Sequence, residues 1–490
     1  MLARWHALLL LHLASWASLS LADPVRSFEN TAIVRTVELG GSSTHVTTSY
    51  IVRSLEAGVP AYYFALSDEE LSKTSWIEAK LKGGKDTLKV QRHSVHVDDR
   101  VALYSVTLPK PLAKNASTTI LVNTIQTHAS KPWPPMAKQS GKQSLLYETG
   151  LYVLSPYKSI TQRTKFKLPT PVVHSFTTPS APAKFTQGSE QSPVVQSGAA
   201  ITYGPFQDIP PSAETMFVDE AQENISVHYQ YDHPVLAVTS LKRSAEISHW
   251  GANLNIEDKI DLRNGGPALE GHFSRVLHQM QSSRNSVPAS IVRNIQMYPP
   301  AGIRDPYFYD RIGNVSTSRF RPAISSLSKQ SFLELRPRYP LVGGWNYSFT
   351  LGWDAPLGDS TTYDAKEDKY TVGVPFWTHI PNAVVDEAEV TIILPEGATD
   401  ISIYPPFPPN SISRRTHTTY LDTTGRPSVT FVKYGLTEKH TGLIYVSYSV
   451  STTAHMKKPI AVGAAAMGLF VVALIVRRIN PKIHKGKKTA

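Results

Sequence analysis

No cysteine occurs among the 490 residues of this chain. That absence excludes disulfide scaffolds, thiol enzymes, iron–sulfur proteins and cysteine-ligated zinc sites. Charge is also scarce, with Asp, Glu, Lys and Arg making up 18% of the residues against about 25% in an average globular domain. Apolar residues make up 41%, which excludes global disorder and leaves ample material for a core. The signatures G-x-S-x-G, H-E-x-x-H and G-x-x-x-x-G-K-[ST] are all missing, so serine-hydrolase, zincin and P-loop chemistry have no foothold. Nor does the net charge of +11 point to nucleic acid once it is located. Nine positive charges sit near the ends, at Arg4, Lys457, Lys458, Arg477, Arg478, Lys482, Lys485, Lys487 and Lys488, leaving +2 for residues 23–456. The body is close to neutral, so the high pI says nothing about nucleic acid.

Long uncharged apolar runs number two, and they set the topology. Met1-Leu2-Ala3-Arg4 precedes a Leu/Ala/Trp-rich stretch that ends at Ser20-Leu21-Ala22. One positive charge, an apolar centre and small residues at 20 and 22 describe a secretory signal peptide, residues 1–22, cleaved before Asp23. The second run, 459–476, has no charge and is clamped by Lys457-Lys458 and Arg477-Arg478. At ~1.5 Å per residue it spans about 27 Å, the hydrocarbon thickness of the endoplasmic reticulum (ER) bilayer. Six positive charges follow it and two precede it, so the basic tail 477–490 is expected in the cytosol and residues 23–456 in the lumen. Lys487 and Lys488 sit four and three places from the C-terminus, the spacing of a dilysine ER-retrieval signal read by a receptor.

What fills the lumen reads as β-structure. With 36 Pro and 22 Tyr the chain is turn-rich and aromatic. Period-2 alternation recurs at Ile225–Tyr229, Val390–Ile393, Val429–Val432 and Ile444/Val446/Tyr448/Val450, as half-buried strands require. Long amphipathic helices are few, and His272 to Ser282, with Phe273, Val276, Leu277 and Met280 at helical spacing, is the best candidate in the lumen. The fold class is mainly β: two tandem luminal β-sandwich-like domains, 23–232 and 233–456, followed by a single transmembrane α-helix. Residues 168–213 are a Pro/Ser/Thr-rich stretch, either a linker or an excursion from the first domain. An internal echo supports two related units: Arg35-Thr36-Val37-Glu38-Leu39 against Arg243-Ser244-Ala245-Glu246-Ile247, and Ala61–Phe64 against Asp305–Phe308.

No catalytic, cofactor-binding or metal-binding set emerges. His228 and His233, Glu223 and His228, and His272 and His278 have no ligand spacing. Asp68-Glu69-Glu70 and Asp98-Asp99 read as solvated acidic loops. Trp345, Trp353 and Trp377 could form a sugar platform, but strand aromatics are more often core. Four Asn-x-Ser acceptors for N-glycosylation stand at Asn115, Asn224, Asn314 and Asn346, all on the luminal side. Their number is near what composition alone supplies. In the span, Ala461, Ala464, Ala465 and Gly468 follow i, i+3, i+4, i+7, a small-residue face that admits a partner helix.

Glu246–Gly251, Gly271–Arg275, Asp305–Ser318, Arg338–Trp345, Ser144–Tyr147 and Tyr203–Phe206 together resemble the ribophorin I family, in the right order along the whole luminal chain. That resemblance implies a non-catalytic subunit of the ER oligosaccharyltransferase, the complex that moves an oligosaccharide from dolichyl diphosphate to Asn in Asn-x-Ser/Thr. The implied partners are the other subunits, including the catalytic many-span subunit and a small transmembrane subunit, and nascent polypeptides. The translocon is a further candidate, although the 14-residue tail matches the short fungal form and not the longer cytosolic domain of animal members. The Trp-Trp-Asp-Tyr-Gly motif of the catalytic subunit is reduced here to Trp353-Asp354. The rival reading is a free-standing type I ER cargo receptor or lectin-like chaperone.

Overall fold

A computed structural model describes residues 27–93, 100–179, 184–186, 193–323, 330–420 and 422–479. The leader 1–22, Asp98-Asp99 and the Lys487-Lys488 pair lie outside the described residues. The chain is mainly β, with one long apolar helix at its C-terminal end.

Strict alternation builds the strands. Asn253–Asn264 turns Leu254, Ile256, Asp258, Ile260, Leu262 and Asn264 inward and every second residue outward. Ser43–Ser54 alternates in the same way. Such strands bury one face only, so they need a second layer.

Two eight-stranded sheets result. The first runs, in space, Val194–Ser197, Ala200–Ile209, Ser159–Lys167, Phe28–Glu38, Ser43–Ser54, Ser117–Thr127, Thr74–Leu81, Thr87–Leu88. The second, from the matching edge, runs Ser411–His417, Arg426–Leu436, Ala383–Ile393, Leu236–Ser248, Asn253–Asn264, Asn346–Pro356, Arg304–Asp310, Gly313–Asn314. Each has a single parallel pairing, Phe28–Glu38 with Ser159–Lys167 and Leu236–Ser248 with Ala383–Ile393. That junction leaves three strands on one side and five on the other in both sheets. Each large sheet is accompanied by a four-stranded and a three-stranded sheet. Around the second, one continuous core draws Ile256, Phe349 and Val390 of the large sheet together with Met297, Leu333, Val374 and Val446 of the smaller ones. Around the first, the core falls into two clusters.

The sequence echo marks this correspondence in part. Arg35 and Arg243 both lie on the strand of the parallel junction, opposite Thr164 and Val390. Four residues before each, at Thr31 and Thr239, the hairpin register shifts by one. Such bulges persist as built features. The second echo fails. Ala61–Phe64 belongs to a three-stranded sheet, whereas Asp305–Phe308 lies in the second large sheet. Alternating aromatics suit any half-buried strand and carry no address.

The strands in the described parts of residues 168–213 are paired into the sheets. Ala200–Ile209 pairs with Ser159–Lys167 and buries Ile201, Tyr203 and Phe206, while Val173–Phe176 pairs with Asn224–Gln230. The expected His272–Ser282 helix is Arg275–Ser283, capped by the Ser274 hydroxyl on the Leu277 amide. Its Val276, Leu277 and Met280 are exposed. The apolar helix starts earlier than the uncharged run, spanning Thr452–Arg478 behind the Ser451 cap.

Both echo arginines point inward. Arg243 binds Asp258 of the neighbouring strand through two 2.6 Å bonds, and donates to Thr378 Oγ1 at 2.6 Å and the Pro375 carbonyl at 2.8 Å. Its guanidinium lies over the Trp353 ring, 5.6 Å from the centroid. Arg35 donates to Glu70, to Thr164 and to the carbonyls of Gly150 and Leu151. The Arg243 and Asp258 side chains are 0% and 1% exposed. Removing one partner strands a buried charge, at a typical cost of about 3–5 kcal/mol. Asp258→Ala should therefore lower the urea midpoint sharply, and Arg243→Met with Asp258→Leu should recover most of the loss. The exposed Lys167–Glu38 pair gives a control whose removal costs under about 1 kcal/mol.

Candidate functional site at the membrane-proximal joint

The last strand, Leu443–Val450, leads into the apolar helix within one residue. A helix so close to a sheet can swing freely or be clamped, and side chains decide which. Lys458 is held between two carboxylates, Asp422 Oδ1 at 2.6 Å and Glu396 Oε2 at 3.2 Å. Asp422 also meets Arg426 Nε at 3.2 Å, and Arg426 reaches back to Glu246. The Asp422 side chain has no exposed surface. Gly397, at φ 82°, lies against Ala454, where a Cβ would come within 2.6 Å of the Ala454 Cβ.

Three more contacts come from the tip of the Leu236–Ser248/Asn253–Asn264 hairpin. His249 Nε2 lies 2.8 Å from the Tyr448 hydroxyl. Its ring is 6.2 Å from that of His455. Trp250 stacks on His455 at 4.5 Å and 5°. A small cavity of about 60 Å³ remains between the hairpin tip, Glu396, Arg426 and the helix.

The electrostatics favour a locked joint. Burial pushes the Glu396 carboxyl up, but amide and hydroxyl donors of Thr424 and Thr423 outweigh it and hold the group at about 2. Burial acts the same way on Asp422, and the Lys458 and Thr419 donors hold it well below the usual carboxylate range. Burial, and then His455, lowers His249 below its ordinary value.

The other sequence candidates disperse. All four acceptor asparagines are exposed. Asn115 occupies a left-handed turn at φ 64°. Asn224 opens a strand whose Ser226 hydroxyl bonds Thr177 at 2.8 Å. Asn314 and Asn346 lie on strands of the second large sheet. Ala461, Ala464, Ala465 and Gly468 are uncovered on the helix. Asp68-Glu69-Glu70 form the first turn of a short helix, where Glu70 completes a capping box and binds Arg35 and Glu69 binds Lys73. His228 hydrogen-bonds the Trp133 carbonyl and stands beside His174, whereas His233 stands beside Tyr231. Trp353 and Trp377 are core residues and offer no sugar platform.

The Ribophorin I family matches residues 28–477. This chain belongs to the ribophorin I family. A Caenorhabditis elegans member named dolichyl-diphosphooligosaccharide--protein glycosyltransferase subunit 1 is 30% identical over 448 residues, 91% of this chain and 71% of its own length. Subunit 1B of Oryza sativa subsp. japonica is 29% identical, covering 86% of this chain and 84% of its own. Subunit 1B of Arabidopsis thaliana is 30% identical over 78% of this chain and 76% of its own.

Three of the six family-like motifs fall at two places. Glu246–Gly251 is the joint hairpin just described. Asp305–Ser318 and Arg338–Trp345 are tied together through Asp310, which accepts from Arg338 Nε at 2.6 Å, the Ile312 amide at 2.9 Å and the Tyr347 hydroxyl at 3.2 Å. Burial pushes Asp310 up, but the Arg338 and backbone donors hold it below its ordinary value. Sequence reasoning took Lys458 as a flank of the apolar run and missed both of its carboxylates. They lie 36 and 62 residues upstream, and no local spacing announces them.

Losing a partner of a buried carboxylate costs about 1–3 kcal/mol, so Lys458→Met should speed amide exchange in residues 455–462 about tenfold or more. Lys457→Met, at an exposed position, should leave it unchanged. Both carboxyls are depressed in the folded chain, so their stabilisation is complete above the ordinary values of 3.8 and 4.5 and fades as pH falls toward 2. Protection factors at the joint, with the intrinsic pH dependence of exchange divided out, should therefore hold steady from pH 7 to 5 and fall only in stronger acid.

Proposed function

We propose that this chain is a non-catalytic accessory subunit of the ER oligosaccharyltransferase, supporting transfer of oligosaccharide from dolichyl diphosphate to Asn in Asn-x-Ser/Thr of nascent polypeptides. The carrying observation is the family match over residues 28–477, with relatives named as subunit 1 of that glycosyltransferase. In this reading residues 23–456 form two luminal domains divided at 232/233, 459–476 cross the ER membrane once, and 477–490 face the cytosol. Lys487-Lys488 retrieve the chain to the ER. A β body clamped to a single helix suits holding and orienting other proteins, because positioning alone lowers a reaction barrier appreciably. The small-residue face Ala461/Ala464/Ala465/Gly468 would seat a helix of another subunit, and the four exposed sequons would carry glycans.

Reconstitution with lipid-linked donor and acceptor peptide tests the assignment. This chain alone should transfer nothing, and the complex lacking it should glycosylate less. Transfer by the isolated chain refutes the non-catalytic role, whereas equal transfer with and without it removes the accessory role. Replacing Ala465 and Gly468 with Leu should release the chain from the complex on mild detergent extraction while leaving its insertion intact. Intact mass before and after deglycosylation should show glycan at the sequons, and none at any of the four would reverse the proposed topology.

A further inference from the structure

Two aromatic side chains stand exposed beside the clamp, and nothing in the joint uses their outer faces. Trp250 is 57% exposed even though one face of its ring stacks on His455. Tyr420 is 90% exposed. It sits in the turn closed by Thr419, whose amide and hydroxyl bind Asp422 Oδ2 at 2.8 and 2.7 Å. The two residues come from different loops of the second large sheet. Both loops are pinned to one helix face, at His455 and Lys458, three residues apart. Nor are the tips loose: Ser248 Oγ accepts from the Gly251 amide at 3.0 Å, and the Ala252 carbonyl accepts from the Leu357 amide at 2.9 Å.

Depth follows from helix geometry. His455 precedes Pro459, the first residue of the uncharged run, by four positions and Lys458 by one. At ~1.5 Å per residue these stand about 6 Å and 1.5 Å above the hydrocarbon edge. The polar layer on each side of a bilayer is ~5–8 Å deep, the difference between total and hydrocarbon thickness. Trp and Tyr settle in that layer because the ring is apolar and the N–H or O–H finds a partner. The neighbouring carboxylates do not oppose it, since Glu396, Asp422 and Glu246 are all paired with Lys458 or Arg426.

We propose that Trp250 and Tyr420 insert into the lipid headgroup layer of the bilayer that the helix crosses, giving the β body a second membrane contact. This rests on the reading of 459–476 as a membrane span. A single helix lets a body tilt and rotate. Two aromatic anchors on clamped loops set its attitude to the membrane surface.

The cysteine-free chain makes the test direct. Single Cys substitutions at Trp250, Tyr420, Ala461 and Tyr404 are spin-labelled in the full chain, reconstituted in phosphatidylcholine nanodiscs. Tyr404 is exposed at the far end of a strand from the joint. Collisions with dissolved oxygen and with a water-soluble nickel chelate report depth. Ala461→Cys should read as hydrocarbon and Tyr404→Cys as water. The labels at 250 and 420 should read between them, with nickel access about threefold below the Tyr404 site, as a headgroup position requires. Water-like values at both overturn the proposal. Values shielded from oxygen and nickel alike also overturn it, because protein then covers the tips. A water-like reading at Ala461 instead refutes the span itself. Should Trp250→Cys disturb the stack on His455, Trp250→Phe keeps a ring there. Quenching of tryptophan emission by lipids brominated near the headgroup should then drop relative to the unsubstituted chain, and an unchanged value again overturns the proposal.

Discussion

The Asp422 side chain has no solvent-exposed surface, yet it carries a charge and ties together three parts of the chain: Lys458 of the apolar helix, Arg426 of the second large sheet and Thr419 of an edge loop. A carboxylate can stay ionised out of water only if its lone pairs are occupied. That requirement orders everything around it. Arg426 is turned so that it also meets Glu246, which lies two strands further into the sheet, near the tip of the hairpin carrying Trp250. The helix therefore does not hang from the body by a peptide link. Its first two turns belong to the same packed, charge-balanced unit as the sheet.

The two large sheets show how one backbone plan tolerates two solutions to the same problem. Each places an arginine on the inner face at the parallel junction, four residues past a bulge. In the second sheet the counter-ion is Asp258, directly across the hairpin. In the first, the position across the hairpin is Thr48, which cannot neutralise a guanidinium. The charge is supplied by Glu70 from a short helix outside the sheet, and the remaining donors go to backbone carbonyls. Strand order and register coincide while the sequences around them differ, because a guanidinium asks only that its donors be met.

Legibility in the sequence followed the range of the forces involved. Alternation at Ile444, Val446 and Tyr448 announced a strand because burial on one face is a local, period-2 signal. The apolar helix announced itself by length and by its flanking charges. The repeated Arg-x-x-Glu stretch was readable because the same register demand recurs. Counter-ions were not. Nothing near Lys458 points to Glu396 or Asp422, and nothing near Arg35 points to Glu70, since strand order and loop packing make those pairs. The early start of the helix was hidden for a related reason: the segment 452–458 is held by the Ser451 cap and by distant partners of Ala454, His455 and Lys458. Residues 168–213 left two readings open, linker or excursion, since the Pro and Ser around Ala200–Ile209 obscured an integral strand.

The parallel junctions also impose an order in time. Leu236 must wait for Ala383, roughly 150 residues later, before the second sheet can close across its middle. At ~5–20 residues per second of synthesis, that wait lasts about 7–30 s. During it, the Leu236–Ser248/Asn253–Asn264 hairpin carries an open edge on its Leu236–Ser248 side, and Arg243 has Asp258 but neither Thr378 nor the Pro375 carbonyl. Contacts so distant in sequence are slow to form. Glu396, Asp422 and Lys458 emerge in that order, and Lys458 follows the last strand, so the clamp can close only after every strand of the sheet has been made. A rigid joint thus certifies a finished body: a chain that stalls before closure has an anchor without one.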